Sequence, residues 1–262
     1  NESLSFLDKK LNLKILKIPS GEITNAPLLL KFAQTRKKLI LSTGMSNLNE
    51  IENALQVLSF GFLNAKNRKI APSKEKFLKA YVSKRGKKYL SEKVILLHCT
   101  SEYPTEIKDV NLNAMNTLRK KFGLKVGYSD HSNSLLVPCT AAAMGACVIE
   151  KHFTISKKMS GPDHRASLSP AELKKTVSSI RSVEIITGSA KKVATRKENG
   201  NKHQIRKYLV ANRNIKKGQL FDYDNIVCKR AGKGIDPINY WSLIGKKSPK
   251  NFKKDDVIKL ND

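Results

Sequence analysis

Acidic residues, cysteines and aromatic side chains are scarce in this 262-residue chain. The four cysteines, Cys99, Cys139, Cys147 and Cys228, lack the spacing of a zinc site, and three of them fall inside predicted strands or helices. This pattern predicts buried thiols in a reducing compartment rather than disulfides. Aromatic residues make up 6% of the chain and include one Trp. No zinc knuckle or arginine-rich arm accompanies them, which argues against a nucleic-acid-binding module.

A long apolar run is also missing. No stretch of about 18 apolar residues is present, and the first residues lack the basic and then apolar order of a signal peptide. We therefore expect a cytoplasmic protein with no membrane partner. The chain starts at Asn1 inside a predicted helix, Leu4 to Leu11, so we expect it to begin within a domain.

The shortage of acidic residues leaves a large positive charge. Lys and Arg number 50 against 22 Asp and Glu, a formal net charge of +28, which raises nucleic acid or an anionic surface as a partner. Because the lysines are spread over predicted helices and turns, we interpret them as solvated surface residues and expect no nucleic-acid partner. A polyanion-binding protein remains the alternative from another functional class, and its binding would depend steeply on salt.

What the sequence does contain is a regular alternation of short apolar strands and helices up to Thr187. Five strands end in polar residues, at 17–20, 42–43, 98–103, 129–131 and 150–152. This alternation predicts an α/β fold whose parallel strands share one rim at their carboxyl ends. A complete (β/α)₈ barrel needs about 250 residues, so the five strands predict part of a barrel.

The centre of the sequence places two histidines after neighbouring strands. Residues 126–128 form a predicted strand that leads to His131, and residues 147–150 form the next, which leads to His152. A single histidine after a strand is more often a loop residue, and that interpretation stays open for either one alone. Paired one βα unit apart, with carboxylates close in sequence, they favour a divalent-metal site with open positions for substrate.

Changes of composition divide the rest of the chain. Residues 61–93 are lysine-dense and longer than an ordinary connection, which predicts a surface insertion, partly helical around 74–82. Residues 189–204 are rich in Lys, Ser, Asn and Gly and predict a linker. Short β segments over 205–262 predict a separate small domain after the barrel portion at 1–188.

Six short motifs follow one another along the chain: KIPSGE (17–22), ILSTGM (40–45), LLHCTSEYP (96–104), GYSDH (127–131), IEKHFT (149–154) and GPDH (161–164). In this order they resemble the motifs of the sialic acid synthase family. The tail resembles the family's antifreeze-like (SAF) domain, with Val227–Arg230 and Gly232–Ile235 at its signature. The resemblance implies strands four to eight of a TIM barrel, without the first three, followed by a SAF domain.

The family condenses phosphoenolpyruvate with an N-acetylated mannosamine-type sugar and releases phosphate. The resemblance implies that His131 and His152 bind Mn²⁺, with Mg²⁺ or Co²⁺ as alternatives, to polarise the sugar aldehyde. The substrate-binding residues it implies are Lys17, Ser20, Ser42, Thr43, Ser101 and Ser129. The catalytic and sugar-side residues are Glu22, Tyr103, Asp163 and Arg230, the last acting from the partner subunit of a domain-swapped homodimer.

The sequence departs from the family pattern in several places. A glutamate, a lysine and an asparagine on the early strands have no counterpart, Ser101 stands where some relatives have asparagine, and Ala231 replaces a proline. We therefore expect this chain alone to be inactive. The main expectation for the complete enzyme is N-acetylneuraminate synthesis, and the alternative is legionaminate or pseudaminate synthesis from a diacetamido trideoxy sugar.

Overall fold

Short aliphatic runs form the strands of a parallel sheet. The structure, a computed structural model, describes residues 2–67 and 69–260 and divides into two units, Asn1–Gly188 and Ser189–Asp262. In the first unit the strands follow one another in sequence order: β1 (Ile15–Ile18), β2 (Lys38–Ser42), β3 (Val94–His98), β4 (Lys125–Asp130) and β5 (Ile149–Lys151). The α/β class predicted from the alternation is therefore confirmed.

Helices connect the strands of the first unit. They are α1 (Glu2–Ser5), continued by a π-helical segment at Phe6–Lys10, α2 (Ala26–Gln34), α3 (Leu48–Leu63), α4 (Lys74–Val82), α5 (Lys84–Lys93), α6 (Asn113–Phe122), α7 (Leu136–Ala143) and α8 (Pro170–Thr187). Capping boxes start two of them, Asn47 with Glu50 at α3 and Ser169 with Glu172 at α8. Each box satisfies backbone N–H groups that have no partner within the helix. No helix among the described residues is long and apolar enough to cross a membrane.

Alternate strand residues face opposite sides of the sheet. One side packs under the helices and carries the buried residues Leu16, Ile18, Leu39, Leu41, Val94, Leu96, Val126 and Tyr128. Burial of a large apolar side chain contributes about 1.5–3 kcal/mol, so this outer side anchors the sheet. The residues between them face the other side.

The sheet is strongly curved. β1 and β5 are its two edges, and in a flat sheet four strand spacings would separate them by about 19 Å. Lys17 on β1 nevertheless reaches Glu150 on β5, with 3.2 Å between Nζ and Oε1. A lysine side chain spans such a gap only if the edges curl toward each other, so the five strands form part of a barrel with a concave inner face.

The segment 61–93 is more ordered than the sequence predicts. α3 extends to Leu63, α4 occupies the predicted helical part and α5 occupies the C-terminal part, Lys84–Lys93. The rings of Tyr89 and Phe62 stack with centroids 6.0 Å apart, and Leu90 is 2% exposed. α5 therefore forms because it has an apolar side that packs on α3.

The second unit is a small β domain. β6 (Lys207–Ala211) pairs antiparallel with β7 (Ile226–Arg230), and its helices are α9 (Arg196–Ile205) and α10 (Tyr240–Leu243). The predicted segments at 220–221 and 257–260 contribute isolated bridges only. The structure also differs from the predicted linker, because a capping box of Thr195 and Glu198 starts α9.

The cysteines correct another expectation. All four are free thiols, as predicted, and Cys99 is buried, but Cys139 and Cys228 are half-buried and Cys147 is exposed. Cys147 lies in the turn after α7 rather than within β5, which starts at Ile149. The prediction of burial is therefore right for Cys99 alone.

Candidate active site

The two central histidines lie side by side at the carboxyl ends of β4 and β5. His131 directly follows β4, and His152 directly follows β5. Their ring centroids are 5.4 Å apart. The Tyr103 ring lies 4.2 Å from that of His131 and 5.2 Å from that of His152. The structure thus brings together the pair that the sequence predicts to be neighbours, with Tyr103 against both.

The two ring nitrogens of His131 have different neighbours. Nδ1 lies 2.6 Å from the carbonyl oxygen of Thr100, which can only accept, so Nδ1 carries the proton. Nε2 lies 3.3 Å from Ser129 Oγ, but Ser129 donates its single hydrogen to Glu150 at 2.8 Å. Burial lowers the pKa of His131, although the Thr100 bond opposes that effect. The Nε2 lone pair therefore faces the site with no donor among the described residues.

Glu150 connects both edges of the sheet. Its Oε1 accepts the hydrogen of Ser129 at 2.8 Å and lies 3.2 Å from the ammonium of Lys17. All three residues point to the concave side, and both side chains of the ion pair are about one third exposed. A cation and a hydroxyl are thus held at one place, where an anionic ligand can replace Glu150 as their partner.

Asp163 and Tyr103 border the histidines. Asp163 Oδ2 lies 3.9 Å from His152 Nδ1, and the left-handed backbone of Asp163, with φ of 67°, turns this loop back. Burial raises the pKa of Tyr103, and the neighbouring Cys99 thiol and the carboxylates of Asp163 and Glu150 raise it further. Tyr103 therefore keeps its proton and can act as a hydrogen-bond donor.

Two of the predicted hydroxyls meet around Gly44. Ser20 Oγ accepts from the N–H of Gly44 at 3.2 Å and lies 3.3 Å from Cys99 Sγ. A Cβ atom added to Gly44 would lie 2.4 Å from Ser101 Oγ and 2.9 Å from Ser20 Oγ. Only glycine allows this approach, so β1, β2 and β3 end at one hydroxyl-rich position.

The three remaining predicted residues of the first unit make no described contact with the histidines. Ser42 is 2% exposed at the end of β2, and Thr43 donates its hydroxyl to the carbonyl of Leu97 at 2.9 Å. Glu22 accepts from Asn25 Nδ2 at 2.7 Å, next to the start of α2. Arg230 is exposed at the end of β7, in the second unit.

A buried ion pair that the sequence analysis did not assign lies beside the site. Lys151 Nζ is 2.7 Å from Asp130 Oδ2, with side chains 7% and 0% exposed. The N–H of Ser132 donates to Asp130 at 2.9 Å, and Lys151 also donates to the Ser132 carbonyl. The pair joins the ends of β4 and β5 just before both histidines. The sequence does carry a signal for this pair. Asp130 and Lys151 directly follow the inward-facing Ser129 and Glu150, so strand alternation places both on the opposite side of the sheet.

The donor set suits an open metal site rather than a closed one. Across residues 2–67 and 69–260, no three His, Cys, Asp or Glu side chains converge as a metal cluster. The unpartnered Nε2 of His131 and the adjacent imidazole of His152 provide two nitrogen donors. A metal held by two imidazoles leaves its other positions for water or substrate.

Comparison with known proteins decides the family. The sequence profile of the NeuB family matches residues 1–192, and that of the SAF domain matches residues 206–262. The chain belongs to the NeuB family. The predicted relationship to sialic acid synthases and the partial barrel followed by a SAF domain are therefore confirmed.

Relatives of this NeuB chain include two proteins named N,N'-diacetyllegionaminic acid synthase. The one from Campylobacter jejuni is 46% identical over 258 residues, which are 98% of this chain and 69% of that protein. The one from Legionella pneumophila is 40% identical over 96% of this chain and 64% of that protein. The N-acetylneuraminic acid synthetase structure from Leptospira borgpetersenii, a complex with citrate, has a TM-score of 0.58 and 33% identity over 74% of this chain and 57% of that chain.

Proposed function

We propose that this protein is a legionaminate-type synthase, which condenses phosphoenolpyruvate with a diacetamido trideoxy sugar. The observation that carries this choice is the 46% identity over 98% of the chain to a protein named N,N'-diacetyllegionaminic acid synthase. The sequence alone put N-acetylneuraminate synthesis first. The relatives favour the alternative, and the two syntheses differ only in the sugar.

The inner face supplies groups for the phosphoenolpyruvate anion. The Lys17 ammonium and the Ser129 hydroxyl are already held together by Glu150, and the hydroxyls of Ser20 and Ser101 meet at Gly44. Charge-assisted hydrogen bonds from such groups bind carboxylate and phosphate. The methylene carbon of phosphoenolpyruvate attacks the sugar aldehyde and forms the new C–C bond. Water then adds at the enol carbon, and phosphate leaves with cleavage of its C–O bond.

His131 and His152 are proposed to hold a divalent metal, Mn²⁺ with Mg²⁺ or Co²⁺ as alternatives. Two features support this role: the Nε2 lone pair of His131 receives no hydrogen bond from the residues that the structure describes, and its Nδ1 is fixed by the Thr100 carbonyl. A hydrogen bond of that kind commonly orients a metal-binding imidazole. A bound metal would supply Lewis-acid polarisation of the aldehyde oxygen.

The sugar side of the site is assigned to residues around the histidines. Tyr103 keeps its proton and faces both imidazoles, so its hydroxyl can donate to a sugar oxygen. The carboxylates of Asp163 and Glu22 would accept from sugar hydroxyls. Arg230 would bind the acetamido group of a sugar in the partner subunit of a homodimer.

Turnover of the full-length protein with three sugars tests the proposal. Phosphate release from phosphoenolpyruvate would be measured with N-acetylmannosamine and with the diacetamido trideoxy sugars of the legionaminate and pseudaminate series. We expect kcat/KM to be highest for the legionaminate precursor. A higher value for either of the other two would overturn the choice of sugar, and no turnover with any would overturn the proposed reaction.

A further inference from the structure

A cavity lies in the helical layer of the first unit, away from the histidine site. Its volume is about 600 Å³. It is formed by the end of α3, by α4 and by the junction of α4 and α5, and thus by the lysine-dense segment to which the proposed synthase reaction gives no role. We name it the insertion cavity. Its lining residues are Phe60, Leu63, Asn64, Ile70, Lys76, Lys79, Ala80, Ser83, Lys84 and Arg85.

The floor of the insertion cavity is apolar. Phe60 and Ala80 are 4% and 6% exposed, and Phe60 is held by an edge-on contact with Phe77, with 5.2 Å between ring centroids. Leu63 is half-buried, and Ile70 is 38% exposed at the margin. An apolar surface of this kind gains free energy when a ligand removes it from water.

The rim of the insertion cavity is cationic. Of its basic residues, Lys76 donates to the carbonyl of Ala71 at 2.8 Å. The structure assigns no hydrogen bond or ion pair to Lys79, Lys84 or Arg85 within the part of the chain that it describes. No carboxylate occurs among the lining residues. Cations gathered without counter-charges repel one another, and an anion placed among them would relieve this repulsion.

We propose that the insertion cavity binds a small amphipathic anion, with a carboxylate or phosphate head among the rim cations and an apolar body on the floor. Its volume falls within the range of small-molecule sites, about 300–1,000 Å³. The concave shape favours a single small molecule over a nucleic acid, whose backbone would need a basic surface with stacking side chains. This site is independent of the proposed synthase reaction.

Calorimetry with decanoate tests the proposal, because decanoate combines a carboxylate with a flexible apolar chain. The uncharged decanol and the cationic decyltrimethylammonium have the same chain and serve as ligand controls. The variant Lys79→Glu/Arg85→Glu reverses two rim charges. The matched control Lys174→Glu/Lys175→Glu makes the same change in net charge on the exposed face of α8.

We expect saturable binding of one decanoate, weakened about tenfold or more by the rim variant and unchanged by the α8 control. Ile70→Asp should weaken it as well, since it places a carboxylate at the apolar margin. Equal affinity for all three ligands, or equal losses in both charge variants, would overturn the proposal. Binding to phosphatidylserine vesicles or to RNA that depends on Lys79 and Arg85, without decanoate binding, would overturn it too, because the partner would then be a surface or a polymer.

Discussion

The imidazole of His131 is held by its neighbours in one tautomer. Thr100 fixes the proton on Nδ1, Glu150 takes the hydrogen of Ser129, and burial holds the pKa of the ring below its ordinary value. A neutral imidazole with a free Nε2 is the form that binds metals. The ring is therefore prepared for a ligand before any ligand arrives.

Removal of either histidine should greatly weaken metal binding. We expect His131→Ala and His152→Ala to lower the affinity of the full-length protein for Mn²⁺ by about 100-fold or more, since loss of a group that only orients a ligand already costs about 10–100-fold. His203→Ala is the matched control, because His203 lies on α9 in the second unit. Calorimetry with Mn²⁺ alone measures the effect, and full affinity in both site variants would disprove the assignment.

We expect His98 to make the free energy of unfolding depend on pH. Burial lowers its pKa in the folded state, although hydrogen bonds to the backbone at Val110 and Asn111 oppose the shift. Below the unfolded value of about 6.5, the unfolded chain binds a proton that the folded chain does not. Its contribution to stability is therefore complete above that value and is lost as the pH falls toward the folded pKa.

The variant His98→Asn should remove part of this dependence. One such group changes the free energy of unfolding by at most about 1.4 kcal/mol per pH unit. Urea unfolding between pH 5 and 8 should show a shallower slope for the variant than for the native chain. An unchanged slope would show that His98 is not the group responsible.

At the scale of single residues, the sequence predicted the polar strand ends well. His131 follows β4, and Lys17 and Ser129 are the last residues but one of β1 and β4. A parallel sheet must bring such strand ends to one rim. The sequence did not predict that Glu150 holds Lys17, because that contact joins the two edges of the sheet and depends on its curvature. Nor could the sequence show that the Thr43 hydroxyl donates its hydrogen to the Leu97 carbonyl.

At the scale of elements, the ends of β4 and β5 are joined by a buried ion pair. β5 has only three residues and lies at an edge, so few ladder bonds hold it. Asp130 and Lys151 add a charge-assisted bond at 2.7 Å, away from water. The spacing between the two histidines that follow depends on this connection.

Substitution of one partner of the Asp130–Lys151 pair should destabilise the fold. We expect Lys151→Met or Asp130→Asn to lower the free energy of unfolding by about 3–5 kcal/mol, because each leaves a buried polar group without its partner. The double variant should lose less than the sum of the two single variants. Urea unfolding measures all three, and Mn²⁺ affinity should fall in the single variants that stay folded.

Arg181→Met provides the control for that experiment. Arg181 pairs with Glu184 at 2.8 Å, but both side chains are more than half exposed. Exposed pairs contribute about 0–1 kcal/mol. If Lys151→Met lowered the free energy of unfolding by no more than Arg181→Met does, burial would not strengthen the pair of Asp130 and Lys151.

The sequence predicted most elements of the first unit and fewer of the second. Strict patterns such as the Asn47 and Ser169 capping boxes gave the starts of α3 and α8. The same signal was present at Thr195 and Glu198, but the polar composition around it indicated a linker instead. In the second unit, short β segments such as 257–260 form single bridges, because their pairing depends on tertiary contacts rather than on local pattern.

At the scale of the whole molecule, the question for Arg230, in the second unit, is whether it acts on the barrel of its own subunit or on that of a partner subunit. Its position at the end of β7 leaves the guanidinium exposed, and a planar fork of donors suits an acetamido oxygen or a carboxylate. The resemblance to sialic acid synthases led us to propose that it acts in the partner subunit.

Mixing two inactive variants tests that proposal in the full-length protein. Arg230→Ala and His131→Ala should each lack activity. If Arg230 acts across subunits, a mixed dimer contains one site with both groups intact, and activity should partly return. No recovery, with subunit exchange confirmed by mass spectrometry, would show that Arg230 serves its own barrel or none.

The strands of the first unit interleave two kinds of positions, and this has an evolutionary consequence. Lys17 lies between the buried Leu16 and Ile18, and Ser129 follows the buried Tyr128. A single substitution can therefore change what the protein binds while leaving the residues that keep it folded untouched. A lineage can therefore vary the inward-facing surface of a strand without first acquiring a more stable scaffold.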